Sequence, residues 1–417
     1  MAENIAMSKR KREHGALRPF LAAFCGIMIT IPVAILAFDY THPVSDRDWF
    51  DRVNVCRPKN DSTYQRDRTV QCVEKVVVLA AKDEKLLTVA KAITDIAAED
   101  AQFWGMCHGA THRIGKELLE LYGSAEESLR AASTIDCGNG LAHGILDYWA
   151  AESTTQLASF PSVIKACEET ELIHPGGCAE GIGHAAYQHQ DGGVEFNQRL
   201  DIAFTVCEQF SNHQQSAHCG YGVMMQPHYK ENDIVITEYA LPIPKNGELI
   251  TICDGLHHRD DVVDGCNQSA GWLMGVRIFL ALQGGELQHL LDLQSEEQNE
   301  SIFSFVAKEA GFCVSNTAKR QRSHDCLIQY FARFPLVWYE DTDALERRCS
   351  RLPVDRGFDF KMYCYAGAYE STPTEVMLAL MRRHPDIVDM IRERWSRERG
   401  DEKLAEFKKT SQVKNNS

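Results

Sequence analysis

Histidines that recur at a fixed distance from cysteines are the residues of this chain best suited to carry chemistry. The motif Cys-x-x-Gly-x-x-His reads CGNGLAH from Cys137 and CAEGIGH from Cys178, and these two cysteines are 41 residues apart. A third copy, CGYGVMM, begins 41 residues later at Cys219 and ends on Met225 instead of histidine. Because imidazole and thioether groups bind transition metals, the motif indicates a metal site built from repeated units.

A further histidine pair precedes these motifs in the stretch CHGATHRIG. His108 and His112 are four residues apart, which places both on one face of a helix. Neighbouring helices pack about 8–10 Å apart, so imidazoles from consecutive units would reach a common gap. Gly109 stands where the metalloprotease motif requires glutamate, which excludes that class of peptidase. The predicted ligands of a zinc, copper or iron ion are therefore His108, His112, His143 and His184.

Each of these histidines has a second interpretation, in which it is partly buried and hydrogen-bonds a neighbouring carbonyl group. Asp147 and Glu180 are candidates for a general acid or base, although carboxylates on helices mostly face solvent. The stretch HHRDD at 257–261, followed by Asp264, is either a cation site or a solvated polar loop. Nucleophile elbows, phosphate-binding loops and dinucleotide fingerprints do not occur in the sequence. The sequence identifies no catalytic or cofactor-binding residue.

The cysteines predict a covalent frame. Cys25 lies in an apolar run, and the other 14 form pairs along the chain, which is typical of an oxidising compartment. Longer segments between pairs, such as 138–166 and 179–206, have room for two helices and a turn. The predicted disulfides are Cys56–Cys72, Cys107–Cys137, Cys167–Cys178, Cys207–Cys219, Cys253–Cys266, Cys313–Cys326 and Cys349–Cys364.

Local signals favour helices. Ser124 and Glu127 form a capping box, and residues 73–100 carry apolar side chains at helical spacing. Only the stretch 233–250, with two prolines and several β-branched residues, predicts a strand pair or an ordered loop. We expect an all-α fold of disulfide-stapled α/α hairpin repeats, arranged as an open solenoid or a closed toroid. Glycine at the fourth motif position predicts close approach of a neighbouring backbone at Gly140, Gly181, Gly222 and Gly367.

The N-terminus predicts a membrane anchor. The basic stretch KRKR at 9–12 precedes 20 uncharged residues, 19–38, which would span about 30 Å as a helix. Basic residues before this segment and acidic residues after it predict an N-terminus in the cytoplasm. A cleaved signal peptide is the alternative, although the apolar run is longer than that class requires. The protein would thus be a single-pass membrane protein whose bulk lies in the periplasm, the extracellular space or the secretory lumen.

These features divide the chain into five parts. They are a cytoplasmic basic tail (1–18), a transmembrane signal-anchor (19–38), a juxtamembrane stem (39–70), an extracytoplasmic helical repeat domain (71–385) and a charged C-terminal helix and tail (386–417).

The stretch IKACEETELIHPGGCAEGIGHAAYQHQDGGVEFNQRLDIAFTVC, residues 164–207, resembles the cysteine-stapled variant of Sel1-type helical repeats. In these repeats, which are similar to tetratricopeptide repeats, one cysteine ends a hairpin and another opens the next. The resemblance implies an α/α array with a concave face that binds other proteins.

Two functions follow from this sequence. The net charge of −15 would repel phosphate backbones, so nucleic acid is excluded as a partner. The leading prediction is a membrane-anchored protein-binding or assembly scaffold, whose partner is another extracytoplasmic protein. The alternative is a metal-binding protein or metalloenzyme, for example an oxidoreductase, whose site uses the motif histidines.

Overall fold

A computed structural model describes most of the chain between residues 45 and 390. The described ranges are 45–57, 63–99, 101–133, 137, 139–152, 157–170, 175–189, 194–226, 246–255, 257–283, 296–315, 319–333, 342–367 and 374–390. The chain divides into two units, Met1–Asp51 and Arg52–Ser417, and only residues 45–51 of the first unit are described. No helix within the described ranges is long and apolar enough to cross a membrane. The predicted anchor at 19–38 lies outside them, as does the tail from residue 391.

The described residues are predominantly helical, as predicted. The helices are α1 (Asp46–Asn54), α2 (Thr63–Lys82), α3 (Leu86–Glu99), α4 (Ala101–Tyr122), α5 (Ala125–Ala132), α6 (Gly140–Glu152), α7 (Phe160–Glu169), α8 (Pro175–Gln188), α9 (Phe196–Cys207), α10 (His213–Met225), α11 (Asn246–Asp254), α12 (Asp260–Gln283), α13 (Glu296–Ser315), α14 (Arg320–Arg333), α15 (Thr342–Cys349), α16 (Phe360–Gly367) and α17 (Thr374–Arg383). A short antiparallel hairpin, β1 (Val354–Asp355) and β2 (Phe358–Asp359), precedes α16.

Helix boundaries follow local signals where those signals are strong. Helix α5 begins after Ser124, whose hydroxyl oxygen accepts a hydrogen bond from the backbone N–H of Glu127 at 3.2 Å, as the capping box predicts. The prediction of strands or a loop over 233–250 is wrong for residues 246–250, which open α11. Leu249 and Ile250 are fully buried there, so packing outweighs the β-branched character of the segment.

All seven predicted disulfides are present. Their Cα–Cα distances lie between 5.4 and 5.7 Å. A typical bridge joins Cys207, the last residue of α9, to Cys219 in α10. The two segments named in the prediction hold two described helices each, as expected: α6 and most of α7 lie within 138–166, and most of α8 and α9 lies within 179–206. The bridges therefore hold consecutive helices of a repeat array together near their short connections.

Alternate helices form a row in which each packs against the next. The row consists of α4, α6, α8, α10, α12, α14 and α16, and α2, α3, α5, α7, α9, α11, α13 and α15 pack against its members. Helix α9, for example, packs on both α8 and α10. The motif cysteines Cys178 and Cys219 are fully buried within α8 and α10. The core of the repeat unit therefore lies along this row.

Glycines set the distance between row helices. At three of the four motif glycines, Gly140, Gly222 and Gly367, a Cβ atom would overlap a backbone carbonyl group of a neighbouring row helix. These positions confirm the predicted close approach of backbones. Gly181 differs, because its Cβ atom would meet the side chain of Leu146, 2.7 Å away, instead of a backbone.

Several glycines outside the fourth motif position make the same contact, and two of them lie next to motif residues. A Cβ atom on Gly144 would overlap the carbonyl oxygen of His112, and one on Gly183 would overlap the carbonyl oxygen of Cys219. Gly140 and Gly144 are four residues apart on α6, so α6 lies against α4 over a full helical turn without side chains between the backbones. This contact has a direct effect on the histidines that flank it.

The packing role of glycine predicts an unusual response to alanine. Alanine ordinarily stabilises a helix by about 1 kcal/mol relative to glycine. We expect Gly222→Ala to lower the free energy of unfolding by about 2 kcal/mol or more, because the added methyl group overlaps the carbonyl of Glu180. Chemical denaturation with intact disulfides measures the change.

Gly311→Ala is the matched control. Gly311 lies inside α13, and the nearest atom to its Cβ position is 3.7 Å away, so the helix should become more stable by up to about 1 kcal/mol. If both substitutions stabilise the protein, close backbone packing at Gly222 is refuted.

Candidate metal centre

The four predicted histidines come together on three consecutive row helices. His108 and His112 lie on α4, His143 lies on α6, and His184 lies on α8. The ring centroids are 4.7 Å apart for His108 and His112, 5.2 Å for His108 and His143, and 5.0 Å for His143 and His184. We call these four residues the histidine cluster.

The glycine contact explains why the cluster forms. Gly140 and Gly144 face the carbonyl oxygens of His108 and His112. His143 lies between these two glycines in sequence, and its ring projects toward the same gap between α4 and α6. A larger residue at either glycine would separate the helices and move the three rings apart. The spacing of the motif thus sets the position of the imidazoles through the backbone.

Three of the histidines are arranged as metal ligands would be. One ring nitrogen from each of His108, His112 and His143 lies within 4.8 Å of the other two. The Nε2 atoms of His108 and His112 are 3.0 Å apart. Two nitrogens that each bind one tetrahedral zinc ion at about 2.0–2.1 Å are separated by about 3.3 Å. Small side-chain adjustments would therefore place both nitrogens on a single ion.

The hydrogen bond of His143 shows which of its two ring nitrogens is available to a metal ion. Nε2 lies 3.0 Å from the carbonyl oxygen of Gly177, and a carbonyl oxygen only accepts, so Nε2 carries the proton and donates. In the neutral ring, Nδ1 then has an unprotonated lone pair. Nδ1 is buried and has no hydrogen-bond partner among the residues that the structure describes. A buried acceptor without a partner is costly, and a metal ion would satisfy it.

Close packing against Asn139 holds the carbonyl group of Gly177 in the position from which it accepts the hydrogen bond of His143. A Cβ atom on Gly177 would overlap the side chain of Asn139, which precedes α6 and has a positive φ of 66°. Asn tolerates this left-handed conformation better than most residues. The start of α8 is thus pressed against the start of α6, and the Gly177 carbonyl faces His143.

Two carboxylates complete the surroundings of the cluster. Asp147 Oδ2 lies 3.6 Å from His112 Nδ1, and Asp147 Oδ1 lies 3.9 Å from His184 Nδ1. Glu180 lies 3.9 Å from Nε2 of both His143 and His184. The side chains of Asp147 and Glu180 are only 19% and 18% exposed, so they are not ordinary solvated residues. Asp147 follows His143 by four residues on α6, and Glu180 precedes His184 by four residues on α8. This spacing in the sequence indicates that both carboxylates lie near the motif histidines.

Burial controls the charge of the cluster. Burial, followed by the neighbouring histidines, lowers the pKa of His112 and His143 well below the usual value. The pKa of His184 falls to about 3, mainly through burial and secondly through His108. Burial raises the pKa of Asp147 to about 8. Neutral imidazoles are the form that binds metals, so His112, His143 and His184 are already in that protonation state.

The simpler interpretation, a hydrogen bond to a neighbouring carbonyl group, holds for one nitrogen of His143. His143 does hydrogen-bond a carbonyl group through Nε2, but its other nitrogen is left to the cluster. The second candidate site, 257–264, has a different role. Asp260 and Asp264 pair with the buried guanidinium of Arg322, and Asp261 pairs with Arg259. Protein cations already neutralise these carboxylates, so this segment links neighbouring helices.

Comparison with known proteins gives no family assignment. No protein-family model matches the sequence, and no curated protein is similar to it. The resemblance to Sel1-type repeats stays a prediction about architecture, and the site is interpreted from its own geometry.

The pKa of His184 predicts a pH dependence of stability in the metal-free protein. Because its pKa falls from about 6.5 in the unfolded chain to about 3 in the folded one, only the unfolded chain gains a proton as the pH drops below 6.5. Its contribution to the free energy of unfolding should fall by about 1.4 kcal/mol per pH unit in that range. Urea denaturation with a chelator at pH 7.5 and 5.5 measures this.

His184→Gln isolates the effect. Asp147 acts in the opposite direction, because its raised pKa lowers stability as the pH rises from about 4 to about 8. The wild type and the variant share this opposing contribution. We expect the variant to lose about 1 kcal/mol less than the wild type between pH 7.5 and 5.5. Equal losses in the two proteins would contradict a buried neutral His184.

Proposed function

We propose that this protein binds one divalent transition metal ion through His108, His112 and His143. The observation that carries the proposal is the meeting of one ring nitrogen from each of these residues within 4.8 Å. The buried Nδ1 lone pair of His143 supports it, because the described protein groups do not satisfy that atom. Neutral imidazoles supplied by two packed helices form a preorganised ligand set.

The donor set favours zinc, copper or iron in their divalent states. The fourteen cysteines that the structure describes are all in disulfides, so thiolate ligands do not compete at this site. Imidazole suits zinc, copper, iron and nickel. Asp147 and Glu180, once ionised, would balance the two positive charges of the ion. The charge of the metal would also favour the ionised form of Asp147, whose pKa burial otherwise raises.

Three protein ligands suit a working metal site. Structural zinc sites are closed by four protein ligands, whereas catalytic sites keep a position for water or substrate. His108 and His112 are only partly buried, so the ion would be accessible from that side. With three ligands found among the described residues, we propose a metal carrier or a metalloenzyme, such as an oxidoreductase.

The disulfides indicate the compartment. Seven bridges indicate an oxidising, extracytoplasmic environment. The apolar segment 19–38 after the basic stretch 9–12 supports a single-pass anchor with the N-terminus in the cytoplasm. The metal site would then work outside the cytoplasm and near the membrane.

Protein binding is the second candidate function, and the row of helices favours it. Sequential packing from α4 to α16 is the pattern of repeat proteins, which present extended surfaces to partners. We propose that the row continues as an open solenoid or a closed toroid. A disulfide-held array loses little conformational freedom on binding, so another extracytoplasmic protein is its expected partner.

Metal analysis of the purified, disulfide-intact protein separates the two functions. Under the metal proposal, wild-type protein carries about one zinc, copper or iron atom per chain. His112→Ala should reduce this to below about one tenth, because it removes one of three ligands. Elemental analysis by mass spectrometry, with circular dichroism to verify folding, gives both values.

His213→Ala is the control. The His213 side chain is 85% exposed and contacts Asp261 outside the cluster, so this variant should keep the full metal content. Substoichiometric metal in the wild type, even after incubation with each ion and removal of the excess, contradicts the metal proposal. That result would leave protein binding as the function.

A further inference from the structure

We propose that Asp147, His184 and Glu180 form an outer shell around the metal, in which Asp147 orients His112 and His184 bridges the two carboxylates. This inference rests on the proposed metal centre. It assigns His184 a positioning role in place of the ligand role that the repeated motif predicts. Asp147 and Glu180 are likewise positioning residues.

The two nitrogens of His112 face different neighbours. Nε2 lies 3.0 Å from Nε2 of His108, on the side of the three-nitrogen group, whereas Nδ1 lies 3.6 Å from Asp147 Oδ2. When Nε2 binds a metal, the neutral ring carries its proton on Nδ1. A shift of about half an ångström would bring that N–H into hydrogen-bond distance of the carboxylate. Carboxylates in this position fix the orientation of metal-binding histidines and increase their basicity.

The opposite oxygen of Asp147 reaches the next helix. Oδ1 lies 3.9 Å from Nδ1 of His184 on α8. Oδ1 is buried and has no hydrogen-bond partner among the described residues, and it faces the ring of His184. One carboxylate on α6 therefore faces a histidine of α4 through one oxygen and a histidine of α8 through the other.

His184 faces carboxylates with both of its nitrogens. Nδ1 is directed toward Asp147, and Nε2 lies 3.9 Å from Glu180 Oε1. It does not join the group of three nitrogens that lie within 4.8 Å of one another. Its ring therefore lies between the two carboxyl groups, with a carboxylate oxygen 3.9 Å from each nitrogen, and it contacts the ring of His143, whose centroid is 5.0 Å away.

Glu180 links the outer shell to the proposed metal ligand His143. Its Oε2 lies 3.9 Å from His143 Nε2, the nitrogen that donates to the Gly177 carbonyl. A negative charge near this N–H makes the opposite nitrogen, Nδ1, a stronger donor to a metal. The contacts thus run from His112 through Asp147, His184 and Glu180 to His143, and they join helices α4, α6 and α8.

Metal affinity and coordination together test this arrangement. Asp147→Asn keeps the size of the side chain but removes its charge. We expect it to weaken the binding of Zn²⁺ or Co²⁺ by about 10–100-fold, as is typical for outer-shell groups, while one ion per chain still binds at saturation. Competition titration against a chelator of known affinity measures the dissociation constant.

X-ray absorption of the metal-loaded protein provides the independent readout. We expect three imidazole nitrogens in the wild type, in Asp147→Asn and in His184→Gln, because neither substituted residue is a ligand. Asp201→Asn is the matched control, since Asp201 contacts His258 at 3.0 Å in a carboxylate–histidine pair outside the cluster. It should change neither the affinity nor the spectrum.

Separate results would overturn the inference and the function beneath it. An unchanged affinity of Asp147→Asn, or the loss of one imidazole in His184→Gln, overturns the outer shell while the metal site stands. A carboxylate oxygen of Asp147 bound to the metal in the wild type would also overturn the outer shell. This measurement uses only the wild-type protein, so it does not depend on the folding of any variant. Failure of the wild type to bind metal overturns the proposed function itself.

Discussion

Direct contact between helix backbones at glycine is the constraint on which the rest of the structure depends. Gly140 and Gly144 bring α6 against the carbonyl groups of His108 and His112, and Gly222 makes the same kind of contact between α10 and α8. The disulfides hold the flanking helices to this row. A metal site made of side chains from different helices needs such a fixed distance, because an error of 1 Å separates the ligand atoms.

Burial keeps the imidazoles of His112, His143 and His184 neutral, and it also makes the histidine cluster energetically unfavourable without a metal ion. These imidazoles remain neutral well below the usual pKa, and burial raises the pKa of the neighbouring Asp147 carboxyl group to about 8. Without a metal ion, these buried groups destabilise the fold. A divalent ion would satisfy the lone pairs and favour the ionised carboxylate at once. Folding and metal binding would thereby be coupled, and the disulfides would keep the apo-protein close to the binding conformation.

Much of this organisation could be predicted from the sequence. Cysteine spacing gave all seven disulfides, and the recurring glycine indicated close packing. The spacing indicates that Asp147 and Glu180 lie near the motif histidines, but their burial is hard to predict, since a carboxylate on a helix faces solvent unless a neighbouring helix covers it. Gly181 meets a side chain instead of a backbone for a similar reason. The atom nearest its Cβ position depends on how the two helices cross. The hydrogen bond from His143 to Gly177 depends on the contact between the starts of α6 and α8, which no spacing encodes.

The most direct measurement is a crystal structure of the wild-type protein with anomalous scattering recorded at the absorption edge of the bound metal. We expect one strong anomalous peak between Nε2 of His108, Nε2 of His112 and Nδ1 of His143, about 2.0–2.1 Å from each if the ion is zinc. A fully loaded crystal with no peak among these nitrogens, or with its peak at another position, would contradict this expectation.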